Sequence, residues 1–132
     1  MSFWFVGDEE ADDPRFLEAG MAASWLYTAA GSWCMREVRG RRNPLPAEWF
    51  IPTRWVRTWP NGARLAGRLV RVGLWERVAD GYCFAWIRDQ NKPDALRQQR
   101  KHEREKKRAQ RACPQGTYRG DNGPNQELKK VL

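Results

Sequence analysis

The chain has 132 residues and a net charge of +8, a length that predicts one small domain with appended segments. Its eight tryptophans are enough to anchor a modest core, because each can bury roughly 150–250 Å². Three separated cysteines without a Cys-x-x-Cys pair argue against a disulfide framework or a zinc site, and the absence of a long hydrophobic run or a signal-peptide pattern predicts a soluble, cytoplasmic protein.

The first predicted element follows an acidic N-terminal segment, residues 1–12. Asp13 as N-cap, Pro14 at the first helical position and Gly20 at the exit predict a short helix. A longer helix is predicted over residues 21–38, where apolar residues recur at roughly helical spacing and predict a buried side made of Trp25, Leu26, Ala29, Trp33 and Met35.

Residues 39–48 contain two prolines and a glycine and predict a loop, which a very short strand at residues 48–52 follows. About two helical turns are predicted between Pro52 and Pro60. The next helix is predicted over residues 61–73, with Asn61 as its cap and Gly73 as its stop.

Two strands are then predicted, at residues 74–79 and 82–87, on either side of Asp80-Gly81. This dipeptide between apolar arms is a strong signal for a two-residue hairpin turn. A turn centred there pairs Ala79 with Tyr82, Arg77 with Phe84 and Trp75 with Trp86. We expect most of the hairpin's aromatic side chains to belong to the core.

From residue 90 the composition changes. Residues 90–112 are basic and almost lack apolar side chains, so they predict either a solvated helix or disorder, and residues 113–132 predict disorder. Residues 13–89 remain as the folded domain. Their order of helix, helix, short strand, helix, helix, strand, turn and strand is that of an α+β winged helix-turn-helix, a helical bundle followed by a small antiparallel β-wing.

Arginines follow the predicted helix at residues 61–73 with a spacing of three or four. On a helical wheel Arg64, Arg68 and Arg71 lie within about 60° of one another, and a stripe of Leu65, Leu69 and Val72 lies roughly 100° away. We expect the apolar stripe to pack on the preceding helices. The outward arginines can then reach phosphates or guanine edges in the major groove of double-stranded DNA. The other interpretation is an ordinary amphipathic helix whose arginines serve solubility.

Basic patches elsewhere in the chain also favour a polyanionic partner. Contacts of this kind to phosphate add affinity and salt dependence rather than sequence choice. The basic tail is equally compatible with a solvated spacer. The further candidate DNA contacts are Arg54 and Arg57 on the preceding helix, Asn61 at the helix start, Arg77 in the wing, Arg39, Arg41 and Arg42 in the loop, and Arg100, Lys101, Arg104, Lys107 and Arg108 in the tail.

Catalytic patterns are weak. His102 stands alone in a basic run and has no companion residues for a triad or a metal site. The acidic residues between Asp8 and Asp13 lie in a flexible-looking segment without a basic or histidine partner, and no glycine-rich phosphate loop is present. We therefore expect no enzymatic activity, no cofactor and no bound metal.

The segments "DDPRFLEAGMAASWLYTAAGSWC", "FIP" and "LVRVGLWERVADGYCFAWI" resemble the N-terminal winged-helix region of replication-initiation-like proteins of actinobacterial phages. The resemblance covers roughly residues 3–88. The matching positions are Pro14, Ala19, Gly20, Ala30, Gly31, Ser32, Trp33, Gly73, Leu74, Trp75, Gly81, Tyr82, Phe84 and Trp86.

This resemblance implies a DNA-binding protein that acts in replication initiation or gene control, in the cytoplasm of an infected bacterial host. The chain departs from the longer relatives because it stops soon after the basic tail, without room for a second replication domain. A free-standing role, such as that of a regulator, an accessory factor or an antagonist of a host complex, is therefore as credible an expectation as initiation itself. The alternative function is a protein-interaction module that binds and modulates a host replication or transcription protein. The sequence has no coiled-coil heptad pattern that would indicate a dimer, so we expect a monomer or a weak homodimer.

Overall fold

The structure, a computed structural model, describes residues 3–39 and 45–112. Local sequence signals determine where its first two helices begin and end. Helix α1 (Pro14–Ala19) begins where the Asp13 carboxylate accepts a hydrogen bond of 2.8 Å from the Arg15 amide, and it ends at Gly20. Helix α2 spans Met21–Val38. Both predicted helices are confirmed with their predicted bounds.

The buried side of α2 differs from the predicted one. It consists of small residues and a few large ones, and Leu26 and Met35 are the two predicted members that it includes. Trp25 is 59 % exposed, and Ala29 and Trp33 are half-buried. The prediction was wrong for Trp25 because the neighbouring elements pack on the side of α2 that carries small side chains, where they can approach closely. The buried residues of α2 are Ala23, Leu26, Tyr27, Ala30, Gly31, Cys34 and Met35.

The remaining elements follow in chain order. Strand β1 spans Phe50–Pro52, α3 spans Thr53–Val56 and α4 spans Gly62–Arg71. Strand β2 (Trp75–Val78) and strand β3 (Gly81–Phe84) form the hairpin, and α5 covers Pro93–Ala112. Two short 3-10 helices lie at Asp8–Asp12 and Asp89–Asn91. Within the described residues the fold is thus α+β, with five α-helices and a small sheet, and it is compatible with a winged-helix arrangement.

The sheet is antiparallel with strand order β1-β3-β2. The predicted hairpin is confirmed, but its predicted register was wrong by two residues, since Trp75 pairs with Phe84 and Val78 with Gly81. The turn is therefore Ala79-Asp80, with Asp80 in the left-handed region at φ 65°. A shift of two keeps every side chain on its predicted face, because side chains alternate with a period of two.

The surroundings of Gly81 explain why the turn is Ala79-Asp80 and not the predicted Asp80-Gly81. A Cβ atom at Gly81 would lie 2.2 Å from the carbonyl oxygen of Ile51 on the neighbouring strand. Position 81 is a glycine because β1 approaches the backbone of β3 closely there. The turn residue with positive φ is Asp80 instead, and aspartate tolerates this conformation better than most residues.

The core lies between the helices and the sheet. Helix α4 packs against α2 and β2, and α1 packs against α2. The Tyr27 hydroxyl donates a hydrogen bond of 2.9 Å to the carbonyl oxygen of Trp86, and burial raises the pKa of Tyr27, so the side chain stays a neutral donor. The largest side chains with under 2 % exposure include Trp75, Tyr27, Leu26, Ile51, Leu69, Leu74 and Val56.

The N-terminal segment is part of this core, which corrects the prediction of a flexible acidic segment without a basic partner. The Trp4 indole packs on Phe84, with ring centroids 5.0 Å apart. Glu10 is buried, and its carboxylate lies 2.6 Å from the Arg88 guanidinium, which also binds Glu9. Arg88 is 78 residues away from Glu10 in sequence, so no local pattern indicated this partner.

Asn91 holds the same segment by its side chain. Its amide oxygen accepts a hydrogen bond of 2.7 Å from the Phe5 amide, and its amide nitrogen donates one of 2.9 Å to the Phe5 carbonyl. Asn91 is 2 % exposed, so water cannot replace these bonds without opening the segment.

We expect Asn91→Ala to lower the free energy of unfolding by about 2 kcal/mol, since two hydrogen bonds of roughly 1 kcal/mol each are lost and Phe5 keeps unsatisfied backbone groups. Urea denaturation measures the loss. Gln90→Ala is the control, because Gln90 is an exposed residue of the same 3-10 helix. Equal stability of the two variants would contradict the role of Asn91.

The chain divides into two compact units, one up to Arg97 and one from Gln98 onward. In the first unit, Pro93 and Leu96 at the start of α5 are buried, and the Arg97 guanidinium donates to the carbonyl oxygens of Leu45 and Pro46. In the second, residues 98–112 are helical and nearly all exposed. Of the two predicted alternatives for residues 90–112, the structure thus shows helix from Pro93 to Ala112. The disorder predicted for residues 113–132 lies outside the described residues.

None of the helices in the described parts of the chain is both long enough and apolar enough to cross a membrane.

Candidate nucleic-acid interface

Helix α4 turns one side to the core and the opposite side to solvent. Gly62, Ala66 and Leu69 are buried, whereas Arg64 and Arg71 are exposed. Leu65 and Val72, which the sequence placed in the packed stripe with Leu69, are half-buried and pack against the core. The packed side is rotated toward Gly62 and Ala66 because small residues let the neighbouring backbone come close.

The three arginines of α4 share its outer side. Arg64 and Arg71 are exposed as predicted, whereas Arg68 is half-buried and its guanidinium lies beside Gly20. Within residues 3–39 and 45–112, none of the three forms an ion pair with a carboxylate. Arg64 and Arg71 are separated by about 10 Å along the helix axis, at 1.5 Å per residue. This span is comparable to the width of the B-DNA major groove, about 12 Å.

The helix dipole offers these residues a second role. Arg68 and Arg71 lie in the last turn of α4, where a positive charge stabilises the helix by roughly 0.3–1 kcal/mol. Arg64 lies in the first turn, where this effect is unfavourable. Interaction with the helix dipole therefore does not explain why an arginine is exposed at position 64, near the start of α4.

The junction between α3 and α4 depends on Gly62. A Cβ atom at this position would lie 1.9 Å from the carbonyl oxygen of Val56, the last residue of α3. Asn61 precedes α4 as predicted, but its side chain makes no capping hydrogen bond, and its backbone is left-handed at φ 57°. Asn61 therefore serves the turn between the helices, which asparagine suits because it tolerates this conformation. Gly73, the predicted stop, follows the helix end.

The hairpin presents Arg77 at its exposed side. The Arg77 guanidinium lies 5.0 Å from the centre of the Tyr82 ring, a cation–π contact. Trp75 and Tyr82 are buried and Phe84 and Trp86 are half-buried, so the aromatic side chains belong to the core as predicted. The charged residue, and not the aromatic rings, is what the hairpin offers to a partner.

Thr53 fixes the turn of the hairpin, and sequence reasoning missed it. Both its amide and its hydroxyl donate hydrogen bonds of 3.0 Å to the carbonyl oxygen of Asp80. Thr53 is the first residue of α3, so the turn is tied to the helix that precedes α4. The available signal was a hydroxyl residue at a strand-to-helix boundary.

The other candidate residues divide between the two units. Helix α3 contacts both α4 and β3. Arg54 is exposed on this helix, and Arg57 is exposed as the first residue after its end. Arg39 is exposed at the end of α2. Arg41 and Arg42 lie outside the described residues. In the second unit, Lys101, Arg104, Lys107 and Arg108 are exposed on α5 and Arg100 is half-buried.

Neither cysteine of the described residues is an activated nucleophile. Burial raises the pKa of the Cys34 thiol to about 12 and holds that of Cys83 above its ordinary value. Both thiols are therefore protonated at neutral pH. In the same part of the chain, no group of three or more His, Cys, Asp or Glu side chains is arranged to hold a metal ion.

The chain matches no family model, no curated protein and no solved structure.

Proposed function

We propose that this chain is a winged-helix protein that binds double-stranded DNA, with α4 as the recognition helix and the β2–β3 hairpin as the wing. The observation that carries the proposal is the outer side of α4, where Arg64, Arg68 and Arg71 have no carboxylate partner in the described residues. Arginine side chains that their own protein leaves unpaired suit phosphates and guanine edges.

The topology supports the proposal. Helix α2, β1, α3, α4, β2 and β3 follow one another in the order of a winged helix, and β1 completes the sheet at the far side of β3. Helix α3 is only four residues long, and residues 57–61 connect it to α4. The helix-turn-helix is therefore a compact variant that depends on the close contact at Gly62.

The residues take different parts in this proposal. Arg64, near the start of α4, reaches base edges, as N-terminal residues of recognition helices do. Arg68 and Arg71 bind phosphates, as do Arg54 on α3 and Arg57 directly after it. Arg77 contacts phosphate or the minor groove from the wing. The role is binding without catalysis, and the resemblance to phage replication-initiation-like proteins favours replication initiation or gene regulation.

The test is a titration of labelled duplex DNA over a series of salt concentrations, read by fluorescence anisotropy. We expect Arg64→Ala/Arg71→Ala to weaken binding about tenfold or more. The slope of log K against log salt should become less negative by about 0.9, because Arg71 is the phosphate contact that this variant loses and each such contact contributes roughly 0.9.

The matched control is Arg36→Ala/Lys92→Ala, which removes two exposed positive charges from other elements. It should change the affinity and the slope little. If a folded Arg64→Ala/Arg71→Ala protein binds as tightly as this control, α4 is not the interface. If the wild-type chain binds neither double-stranded nor single-stranded DNA, the protein-interaction alternative replaces the proposal.

A further inference from the structure

An apolar groove opens on the N-terminal side of the first unit. One wall is formed by Val6 and the 3-10 helix Asp8–Asp12, the other by the first two turns of α2, and Phe16 and Gly20 lie between them. Its volume is about 850 Å³. The groove uses none of the α4 residues to which DNA binding is assigned, except that the Arg68 guanidinium reaches one end of it at Gly20.

Large apolar side chains stand in solvent along this groove. Met21 is 90 % exposed, Leu17 66 %, and Trp25 and Val6 each 59 %. Met21 and Trp25 are four residues apart on α2 and therefore lie on one side of that helix, and Leu17 of α1 lines the same groove. Because α2 also buries its opposite side, it is apolar nearly all round, which is typical of a helix that packs on two sides. A contiguous exposed apolar surface of this kind marks an interaction site.

The rim of the groove is acidic although the chain as a whole carries +8. Asp8 lines the groove, and Asp12 and Glu18 are exposed residues that follow the lining residues Ala11 and Leu17 in the sequence. In the described parts of the chain these three carboxylates form no ion pair. Two nearby bases are already paired, since Arg15 binds Asp13 at 2.8 Å and stacks over Trp86, and Arg88 binds Glu9 and Glu10. Arg68, at the Gly20 end of the groove, is the nearby base without a carboxylate partner in the described residues.

We propose that this groove binds a short amphipathic helix of a partner protein, with large apolar side chains on one face and lysines or arginines flanking them. The apolar face fills the space between Val6 and Trp25, and the basic flanks meet Asp8, Asp12 and Glu18. Met21 and Thr28 are about 10 Å apart along α2, so the groove fits about two turns of the ligand helix. This is recognition of a helix in a groove, in which apolar anchors supply affinity and charges supply orientation.

The charge of the groove separates this ligand from DNA. The unpaired carboxylates repel a phosphate backbone and attract a basic helix, whereas the outer side of α4 does the reverse. The proposal stands independently of DNA binding, and the two surfaces lie on different elements, so both ligands can be bound by one chain.

The test uses the whole chain and three synthetic peptides. One is a leucine-lysine peptide with leucines at i, i+3, i+4 and i+7, the second is an isomer of the same composition with the leucines scattered, and the third replaces lysine by glutamate. We expect the striped basic peptide to bind at least about tenfold more tightly than either of the others. Its addition should shift the Met21 methyl resonance in NMR spectra, since Met21 lines the groove.

Variants then assign the site. Met21→Ser/Trp25→Ser should weaken binding of the striped peptide about tenfold, and Asp8→Asn/Glu18→Gln should weaken it severalfold at low salt only. Phe50→Ser, an exposed apolar residue of β1, is the control and should bind as the wild type does. Met21→Ser alone, at the most exposed position, keeps the test informative should the double variant not fold.

Three results would overturn the proposal. One is equal affinity for the striped and scattered peptides, and another is unchanged affinity in folded Met21→Ser/Trp25→Ser. The third is a wild-type dimer in sedimentation that this variant abolishes, since the groove would then hold a second copy of the chain. Arg64→Ala/Arg71→Ala should bind the striped peptide normally, so a failure of the DNA proposal stays distinguishable from a failure of this one.

Discussion

Replacing Trp75 by alanine is expected to lower the free energy of unfolding by about 3–5 kcal/mol, the cost of emptying a core tryptophan site. Trp75 is 1 % exposed and packs its ring against Tyr82 at 5.2 Å and Phe84 at 6.2 Å. It lies on β2 at the end that follows α4, so its removal loosens both the hairpin and the C-terminal end of α4. Chemical denaturation followed by circular dichroism measures the loss.

Trp25→Ala is the matched control for this substitution. The same side chain is removed, but Trp25 is 59 % exposed on α2, so we expect a change within about 0.5 kcal/mol. Trp75→Phe should cost less than Trp75→Ala, partly because the Trp75 indole N–H is buried without an acceptor in the described residues. A loss at Trp25 as large as that at Trp75 would contradict the assignment of core and surface.

Gly62→Ala is expected to destabilise the protein by about 3 kcal/mol, since the added methyl group must displace the Val56 carbonyl or move α4 away from α3. The contact would be 1.9 Å, with a backbone atom that cannot rotate away. Because the crossing of α3 and α4 changes, DNA affinity should fall as well, even at temperatures where the variant is folded.

Gly67→Ala tests the same substitution five residues later on the same helix. A Cβ atom at Gly67 meets no atom within 4 Å, so alanine should stabilise the helix by about 0.5–1 kcal/mol through its higher propensity. Thermal denaturation of the two variants side by side gives opposite signs if the structure of the junction is correct. Two changes of the same sign would count against it.

The parts of the fold that local chemistry dictates were predictable. The cap at Asp13, the proline after it and Gly20 place the ends of α1, and α2 then runs over the predicted residues. The arginine spacing of α4 predicted an exposed basic side, and Arg64 and Arg71 are exposed. Signals of this kind lie within a few residues of the feature that they determine.

The parts that depend on distant contacts were not predictable. The hairpin register follows from the approach of β1 to Gly81, and an aspartate-glycine pair carries no information about a third strand. The N-terminal segment is ordered because it is bound by Asn91 and Arg88, which lie more than seventy residues away in the sequence. Trp25 is exposed, and the groove is open, because the neighbouring elements cover the other side of α2.

The tie between Thr53 and the Asp80 carbonyl has a consequence for the thermodynamics of binding. A wing that is loose in the free protein loses conformational entropy when a ligand immobilises it, and that loss subtracts from affinity. Here two hydrogen bonds from the first residue of α3 hold the turn before any ligand arrives. The backbone of the hairpin that carries Arg77 is thus ordered during folding, and in the proposed DNA complex the ligand would not have to order it.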